Sequence, residues 1–198
     1  MNLVRPDQRE AAAETLAEAF YDDPLLQVLA PDPPRRMAVG RWYFHTTVDY
    51  GMRWGRVWVT EDVAATSVWL PPGTRFSALR SLRVGMGAFP FRVGLRPMLS
   101  IVRVVPALER LHRLVRGPHW FLMAIGTRPS RQGGGLGSAV LTAGTSQADL
   151  EGLPCYLETS TQRAVDFYVK HGFEVVGRED LNGHIVYGSV RQAAPSRF

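Results

Sequence analysis

Residues 119–140 read "HWFLMAIGTRPSRQGGGLGSAV": an apolar run, a turn containing Pro129, three consecutive glycines and the small-residue start of a helix. Successive glycines before a helix let the backbone approach a ligand closely, and the first N–H groups of the helix have no partner within it. The positive end of the helix dipole lies at the same point, so the loop suits an anion such as a pyrophosphate. Which phosphate-bearing ligand the loop matches therefore decides the fold.

Three ligand classes use this physics. The nucleotide P-loop pattern G-x-x-x-x-G-K-[ST] fails, because no lysine follows any glycine from Gly133 to Gly137; the single lysine of the chain is Lys170. The dinucleotide pattern G-x-G-x-x-G fits Gly133 and Gly135 but meets Ser138 where its third Gly or Ala belongs, and "TRPSRQ" separates the loop from its strand. Glu158 stands near the place of an acid for a ribose hydroxyl, which keeps this reading open. The third pattern, [QR]-x-x-G-x-[GA], fits Gln132, Gly135 and Gly137 without a mismatch.

Working outward, "PCYLETS" (154–160) reads as a strand and "TQRAVDFYVKH" (161–171) as a helix. Strands at about 173–179 and 184–190 flank "LNG", a hairpin signal. Upstream, an amphipathic helix is expected over 7–20, with Ala12, Leu16, Ala19 and Phe20 at helical spacing. Further helices are expected from Pro24 to Leu29 and from about Arg35 to Met52, then strands at 56–61 and 64–72. Strand–helix–strand units joined to a hairpin predict an α/β (α+β) fold, a mixed sheet with helices on its faces.

Residues 73–117 break this alternation. They read as helices limited to a few turns by Pro90, Pro97 and Pro106, and carry nine arginines against one acid, Glu109. This basic insertion is either a layer facing an anion or a membrane, or an amphipathic packing element. The second reading is preferred, with Leu108, Leu111 and Val115 inward and Arg103 and Arg110 in water.

Composition narrows the function classes. A chain of 198 residues with 45% hydrophobic and 21% charged residues predicts one folded domain, 1–198. All basic residues but Lys170 are arginine, so the net charge of +5 reads as solvated surface rather than as a nucleic-acid footprint. Charges at Arg5, Asp7, Arg9 and Glu10 argue against a secretory signal, and no segment offers about 18 uninterrupted apolar residues; the expectation is a cytoplasmic protein with no membrane span. One cysteine, Cys155, and five histidines without H-x-H or H-E-x-x-H spacing predict no metal.

At Gln132–Gly137 the sequence resembles the GNAT superfamily of acetyl-CoA-dependent N-acetyltransferases, and "WFLMAIGT", "YLETS", "FYVKHGF" and the closing hairpin stand in that superfamily's order. Within it the chain is similar to the puromycin N-acetyltransferase group through "LAEAFYDDP" (16–24), "VWV" (57–59), "VWLPP" (68–72), "WFL" (120–122) and "GLGSAV" (135–140). The resemblance implies a mostly antiparallel mixed sheet flanked by helices and a single acetyltransferase domain with the helical insertion 73–117. It also implies an acetyl-CoA site in which Gln132, Gly133, Gly134, Gly135, Leu136, Gly137 and Ser138 cradle the pyrophosphate. The backbone of Ile125, Gly126 and Thr127 is then expected to pair with pantetheine as an extra strand would. Arg131 either adds charge to the phosphates or is a surface residue. Where the superfamily often carries an Asn that bonds pantetheine, this chain has Ala164.

Acetyl transfer to an amine needs a neutral nucleophile, a polarised carbonyl and a proton for the departing thiolate. Tyr168 resembles the family's general acid, and a helical wheel places it on one face with Ala164 and His171; the alternative is a half-buried structural tyrosine. For the base, Glu158 shares a strand face with Tyr156 and Ser160, where burial would raise its pKa; the alternatives are a cap for the next helix or a water chain. The expected reaction is acetylation of a primary amine of a small molecule by direct attack in a ternary complex. The acceptor is expected between "FYDDPL" (20–25), the helix around Trp42 to His45 and the insertion 73–117; Asp22 and Asp23 either attract a cationic amine or are turn and cap residues ahead of Pro24. A protein or peptide acceptor, and a non-catalytic acyl-CoA-binding or membrane-surface module, are the rival readings.

Overall fold

Among the described residues, seven strands form one sheet in the order β1-β2-β3-β4-β5-β7-β6. They are β1 (Asn2–Leu3), β2 (Arg56–Val59), β3 (Ala65–Leu70), β4 (Trp120–Thr127), β5 (Cys155–Thr159), β6 (Glu174–Leu181) and β7 (His184–Arg191). Every neighbouring pair is antiparallel except β4 and β5, which run parallel. The computed structural model describes residues 1–74, 77–181 and 183–194, with the side chains of Ala78 and of 95–103 outside that description. Asn182 of the expected hairpin turn lies outside the described residues.

Helices cover both faces. On one side α1 (Arg9–Ala19) and α3 (Pro33–Trp54) pack Leu16, Ala17, Phe44 and Val48 against Val57, Val59, Val68 and Ala124. On the other, α7 (Leu136–Leu150) and α8 (Gln162–Val169) enclose Trp69, Leu122, Leu141, Leu157, Tyr168 and Phe173. Each large apolar side chain so buried contributes about 1.5–3 kcal/mol, which outweighs the weak amphipathic signal of α1 on its own. The short α2 is Pro24–Leu29, as its sequence predicts: Asp23 Oδ1 accepts from the Leu25 N–H at 2.8 Å and Pro24 supplies a first residue that needs no donor.

Helix boundaries depart from the sequence reading by about two residues. α1 starts at Arg9, after a 3₁₀ turn at Pro6–Gln8, rather than at residue 7. α3 begins at Pro33 and runs to Trp54, two residues beyond Met52, because prolines are tolerated in a first turn whose N–H groups are free. The edge strand β1 was not expected; two residues carry no period to read.

The insertion is helical but less broken than its prolines predict. It contains α4 (Ala78–Arg83), α5 (Phe89–Val93) and α6 (Leu95–His112), and α6 runs through both Pro97 and Pro106. Pro97 sits in the first turn, where no N–H is needed; only Pro106 leaves a gap, since it cannot donate to the carbonyl of residue 102. Leu111 is buried, as expected, and Leu108 and Val115 are half-buried. Arg110 is not simply solvated: it donates from Nε and Nη2 to Glu179 on β6 at 3.0 and 2.6 Å, which ties α6 to the sheet. The side chain of Arg103 lies outside the described residues.

Candidate active site

The site begins where β4 parts from β5. Their pairing covers Trp120, Phe121 and Leu122 opposite Cys155, Tyr156 and Leu157, and stops there, although β4 continues to Thr127. On its other edge β4 skips a residue against β3: Trp69 faces Leu122 and Val68 faces Ala124, leaving Met123 as a bulge. A bulge re-aims the strand and ends pairing at a chosen point. It also reverses which side chains face which layer, so Leu122 packs beside α7 whereas Ala124 packs beside α1.

Beyond the bulge, the Arg128 N–H donates to the Ala64 carbonyl at 2.9 Å, which makes that pair a hydrogen-bonded one. Alternation along an antiparallel ladder then turns the backbone groups of Gly126 toward β3 and those of Ile125 and Thr127 into the gap beside β5. The Thr127 carbonyl is met by Gln132 Nε2 at 3.2 Å. Gly126 has a separate use: a Cβ there would fall 2.7 Å from Ala19 Cβ and 3.2 Å from Leu16 Cδ2, so its missing side chain admits α1.

The glycine loop follows a 3₁₀ turn at Pro129–Arg131 and opens α7. Gly133 and Gly135 have φ of +85° and +77°, a region L side chains rarely adopt, and a Cβ on either would meet nothing within 4 Å. Open space before free helix N–H groups is the form an anion cradle requires. Gln132 is fixed from both ends, donating to Thr127 and accepting from Arg163 Nη2 at 3.0 Å. Arg131 makes an ion pair with Asp62 at 2.7 Å.

At the other end of the gap stands Glu158, opposite Gly188 on β7. The Tyr156 hydroxyl donates to its Oε1 at 2.9 Å, so the two share a strand face. Burial pushes the Glu158 carboxyl up to about 7, against the opposing effect of the Tyr156 bond. The cap of α8 is Thr161, whose side chain accepts from the Ala164 N–H, so Glu158 is free of that duty. Tyr156 in turn packs against His112, with ring centroids 4.8 Å apart, and the Nε2 atoms of His112 and His119 lie 2.9 Å apart.

Tyr168 on α8 is buried, and burial together with the Asp23 charge pushes its hydroxyl above the usual tyrosine range. Asp23 Oδ2 accepts from the Ser160 hydroxyl at 3.3 Å, joining the α1–α2 turn to the end of β5. Burial raises the Asp23 carboxyl above its ordinary value despite that bond and its cap to Leu25. His171 Nδ1 lies 2.8 Å from the Phe167 carbonyl in the last turn of α8.

One cleft of about 1740 Å³ joins these parts. Its wall includes Ile125, Gly126, Thr127, Arg131, Gln132, Gly133, Gly135, Leu136, Gly137 and Ser138 at one end and Glu158, Ala164 and Tyr168 at the other; of the residues read from sequence only Gly134 is absent from it. The arrangement fits a CoA thioester, with an open cradle for phosphates and the backbone groups of Ile125 turned into the gap beside β5. Sequence reasoning missed the Tyr156 bond, Arg163 and the His112–His119 pair, since seven residues across a turn carry no ligand spacing. Cys155 is buried and its thiol is pushed up to about 12, an inert core group. Among the described residues no group of three or more His, Cys, Asp or Glu is placed to hold a metal ion, and no helix is long and apolar enough to cross a membrane.

Residues 92–173 match the Acetyltransferase (GNAT) family. An uncharacterized N-acetyltransferase of Schizosaccharomyces pombe is 28% identical over 176 residues, spanning 84% of this chain and 70% of that protein. Among solved structures, a histone acetyltransferase HPA2 and related acetyltransferase from Corynebacterium glutamicum superposes with a TM-score of 0.70 at 22% identity, covering 100% of this chain and 97% of its own. A Drosophila melanogaster polyamine N-acetyltransferase, which forms N-acetylagmatine, gives a TM-score of 0.63 at 16% identity, covering 96% and 97%.

Proposed function

We propose that this chain, for which family match and fold support an acetyltransferase of the GNAT superfamily, is a single N-acetyltransferase domain that acetylates a primary amine of a small molecule with acetyl-CoA. The observation that carries the reading is the continuity of one cleft from the glycine cradle, past the unpaired edge of β4, to Glu158 and Tyr168. Its volume of about 1740 Å³ exceeds the roughly 300–1,000 Å³ of a single small-ligand site and leaves room for donor and acceptor together.

When bound, acetyl-CoA supplies the activated acyl carbonyl. Gly133, Gly135 and the N-terminus of α7 hold its phosphates, and the Ile125 backbone aligns its arm. Glu158, poised near neutral pH, takes the proton from the incoming ammonium or amine. As the C–N bond forms and the C–S bond breaks, Tyr168, which stays protonated at neutral pH, gives its proton to the leaving thiolate. Asp23 lies beside Tyr168 and adds negative charge where a cationic acceptor enters.

The acceptor end is walled by Leu25, Val28, Leu29, Met86, Phe89, Val104, Val105 and Leu108. Apolar walls from α2 and the insertion favour a small amine with an apolar body over a peptide. Solved neighbours that acetylate small amines, the polyamine enzyme among them, lend this the weight of fold analogy. Resemblance to the puromycin group makes puromycin the first acceptor to try. The test is mass spectrometry of acetyl-CoA reactions with a panel of amines including puromycin, beside thermal melts. Saturating acetyl-CoA at about 100 times its Kd should stabilise the fold by about 2.7 kcal/mol while NAD does not. A shift with NAD alone would return the loop to the dinucleotide class.

A further inference from the structure

Residues 78–93 lie along one side of α3. Arg35, Trp42, Thr46 and Arg53 fall within about 20–40° of one another at about 100° per residue, and all four meet this segment. Arg35 Nη2 donates to the Arg92 carbonyl and Arg53 Nη1 to the Arg83 carbonyl, each at 3.3 Å. Between them Trp42 packs on Phe89 with centroids 5.7 Å apart, and Thr46 Cγ2 lies 3.9 Å from a Cβ position on Gly85. The segment thus runs beside α3 over about 27 Å, the rise from Arg35 to Arg53. It buries Val84 and Val93 and leaves Leu79, Leu82 and Phe91 exposed by 62%, 60% and 87%. Arg83 and Arg92 are exposed between them.

Among the described residues, charge on this face has no carboxylate counter-ion. From Val63 to Leu108 there is no acidic residue, while six arginines occur. Seven other arginines of the protein pair with carboxylates. Among the described residues no carboxylate meets Arg83 or Arg92; Arg35 and Arg53 turn to backbone carbonyls, and the Arg80 guanidinium stacks over Trp54 at 5.6 Å. Guanidinium groups alone would suit any polyanion. Exposed Leu79, Leu82 and Phe91, each next in sequence to one of Arg80, Arg83 and Arg92, do not: an apolar layer with phosphates at its surface takes up both kinds of group at once.

We propose that this face of α4, α5 and α3 docks on an anionic lipid surface, with Leu79, Leu82 and Phe91 in the headgroup layer and the arginines on lipid phosphates. Met86 and Phe89 of the same segment line the cleft, so docking sets the acceptor wall against the bilayer.

The test is sedimentation of the full chain with vesicles of phosphatidylcholine, alone or mixed with phosphatidylglycerol. Binding is expected only to the mixed vesicles. The pair Arg83→Gln and Arg92→Gln should weaken it about 25-fold, roughly fivefold per charge near the surface. The pair Leu82→Ser and Phe91→Ser should abolish the part that survives high salt. Both double variants should keep wild-type circular dichroism and vesicle-free turnover, since these side chains project away from the core and the cleft. Failure of the wild type to sediment with mixed vesicles overturns the proposal. So does binding that ignores the Leu82 and Phe91 changes and is matched by a DNA duplex or polyglutamate, which would make the face a general polyanion site.

Discussion

Glu158→Gln removes one proton site and almost no volume, and its effect can be worked out in both stability and rate. Burial holds the carboxyl at about 7 in the folded protein against 4.5 for an unburied glutamate. Below pH 4.5 both states are protonated and the group adds no pH dependence. As pH rises toward 7 the unfolded chain ionises while the folded one resists, so stability falls, and above 7 the cost is constant. At about 1.4 kcal/mol for each pH unit between the two values, the penalty at pH 8 exceeds that at pH 5 by about 2.5 kcal/mol. Glutamine cannot ionise. The variant should therefore gain about 2.5 kcal/mol over wild type on going from pH 5 to pH 8, roughly 5–10 °C in Tm for a chain of this size. Urea unfolding at the two pH values measures it. In the same protein kcat/KM at pH 7 should fall about 10²- to 10⁴-fold and recover in part at alkaline pH, where the amine is already neutral. A variant whose stability difference is the same at pH 5 and pH 8, or whose rate keeps the wild-type pH profile, would refute the reasoning.

Tyr168→Phe should lower kcat roughly 10²- to 10³-fold with acetyl-CoA affinity within a few-fold, and without recovery at high pH, because alkali frees the amine but does not protonate a leaving thiolate. Rapid-quench kinetics with an acceptor whose chemical step limits turnover decides it. Gly135→Val places a β-branched residue at φ +77°; it should cost about 1–3 kcal/mol of stability and abolish the acetyl-CoA thermal shift. Ala164→Asn should tighten CoA binding about fivefold, one hydrogen bond's worth, and calorimetry giving unchanged affinity would show that the arm is held elsewhere.

The readable parts of this protein are those with a local cause. β4 announces itself by an apolar run, the glycine loop by three consecutive glycines ahead of a helix, and α2 by Asp23 and Pro24 at its start. What stayed hidden depends on partners remote in sequence. The use of Gly126 is set by α1, more than a hundred residues away, and the bulge at Met123 exists only against β3. Arg110 reads as a solvated cation until the fold brings Glu179 to it. The rule that proline ends a helix failed at Pro106 because the packing of Ala107 and Leu111 outweighs one lost bond. At the site, the chemical types of Glu158 and Tyr168 were legible; that Asp23 borders both the helix turn and Ser160 was not.

The parting of β4 from β5 leaves a native protein with a strand edge it never closes. Unpaired strand edges are templates on which other chains add themselves, and most proteins blunt theirs with charge, proline or a covering element. Here no such device stands on β4 itself, since Met123, Ala124 and Ile125 are all apolar. Protection comes from depth: the edge lies on the wall of the cleft, with α8 beyond it carrying Ala164, Phe167 and Tyr168 along the same wall. A strand of another protein would have to bring side chains on both of its faces past that helix to reach it, whereas a thin unbranched chain has none to bring. The same burial in the cleft that leaves this edge to a slender ligand is what keeps this sheet from growing.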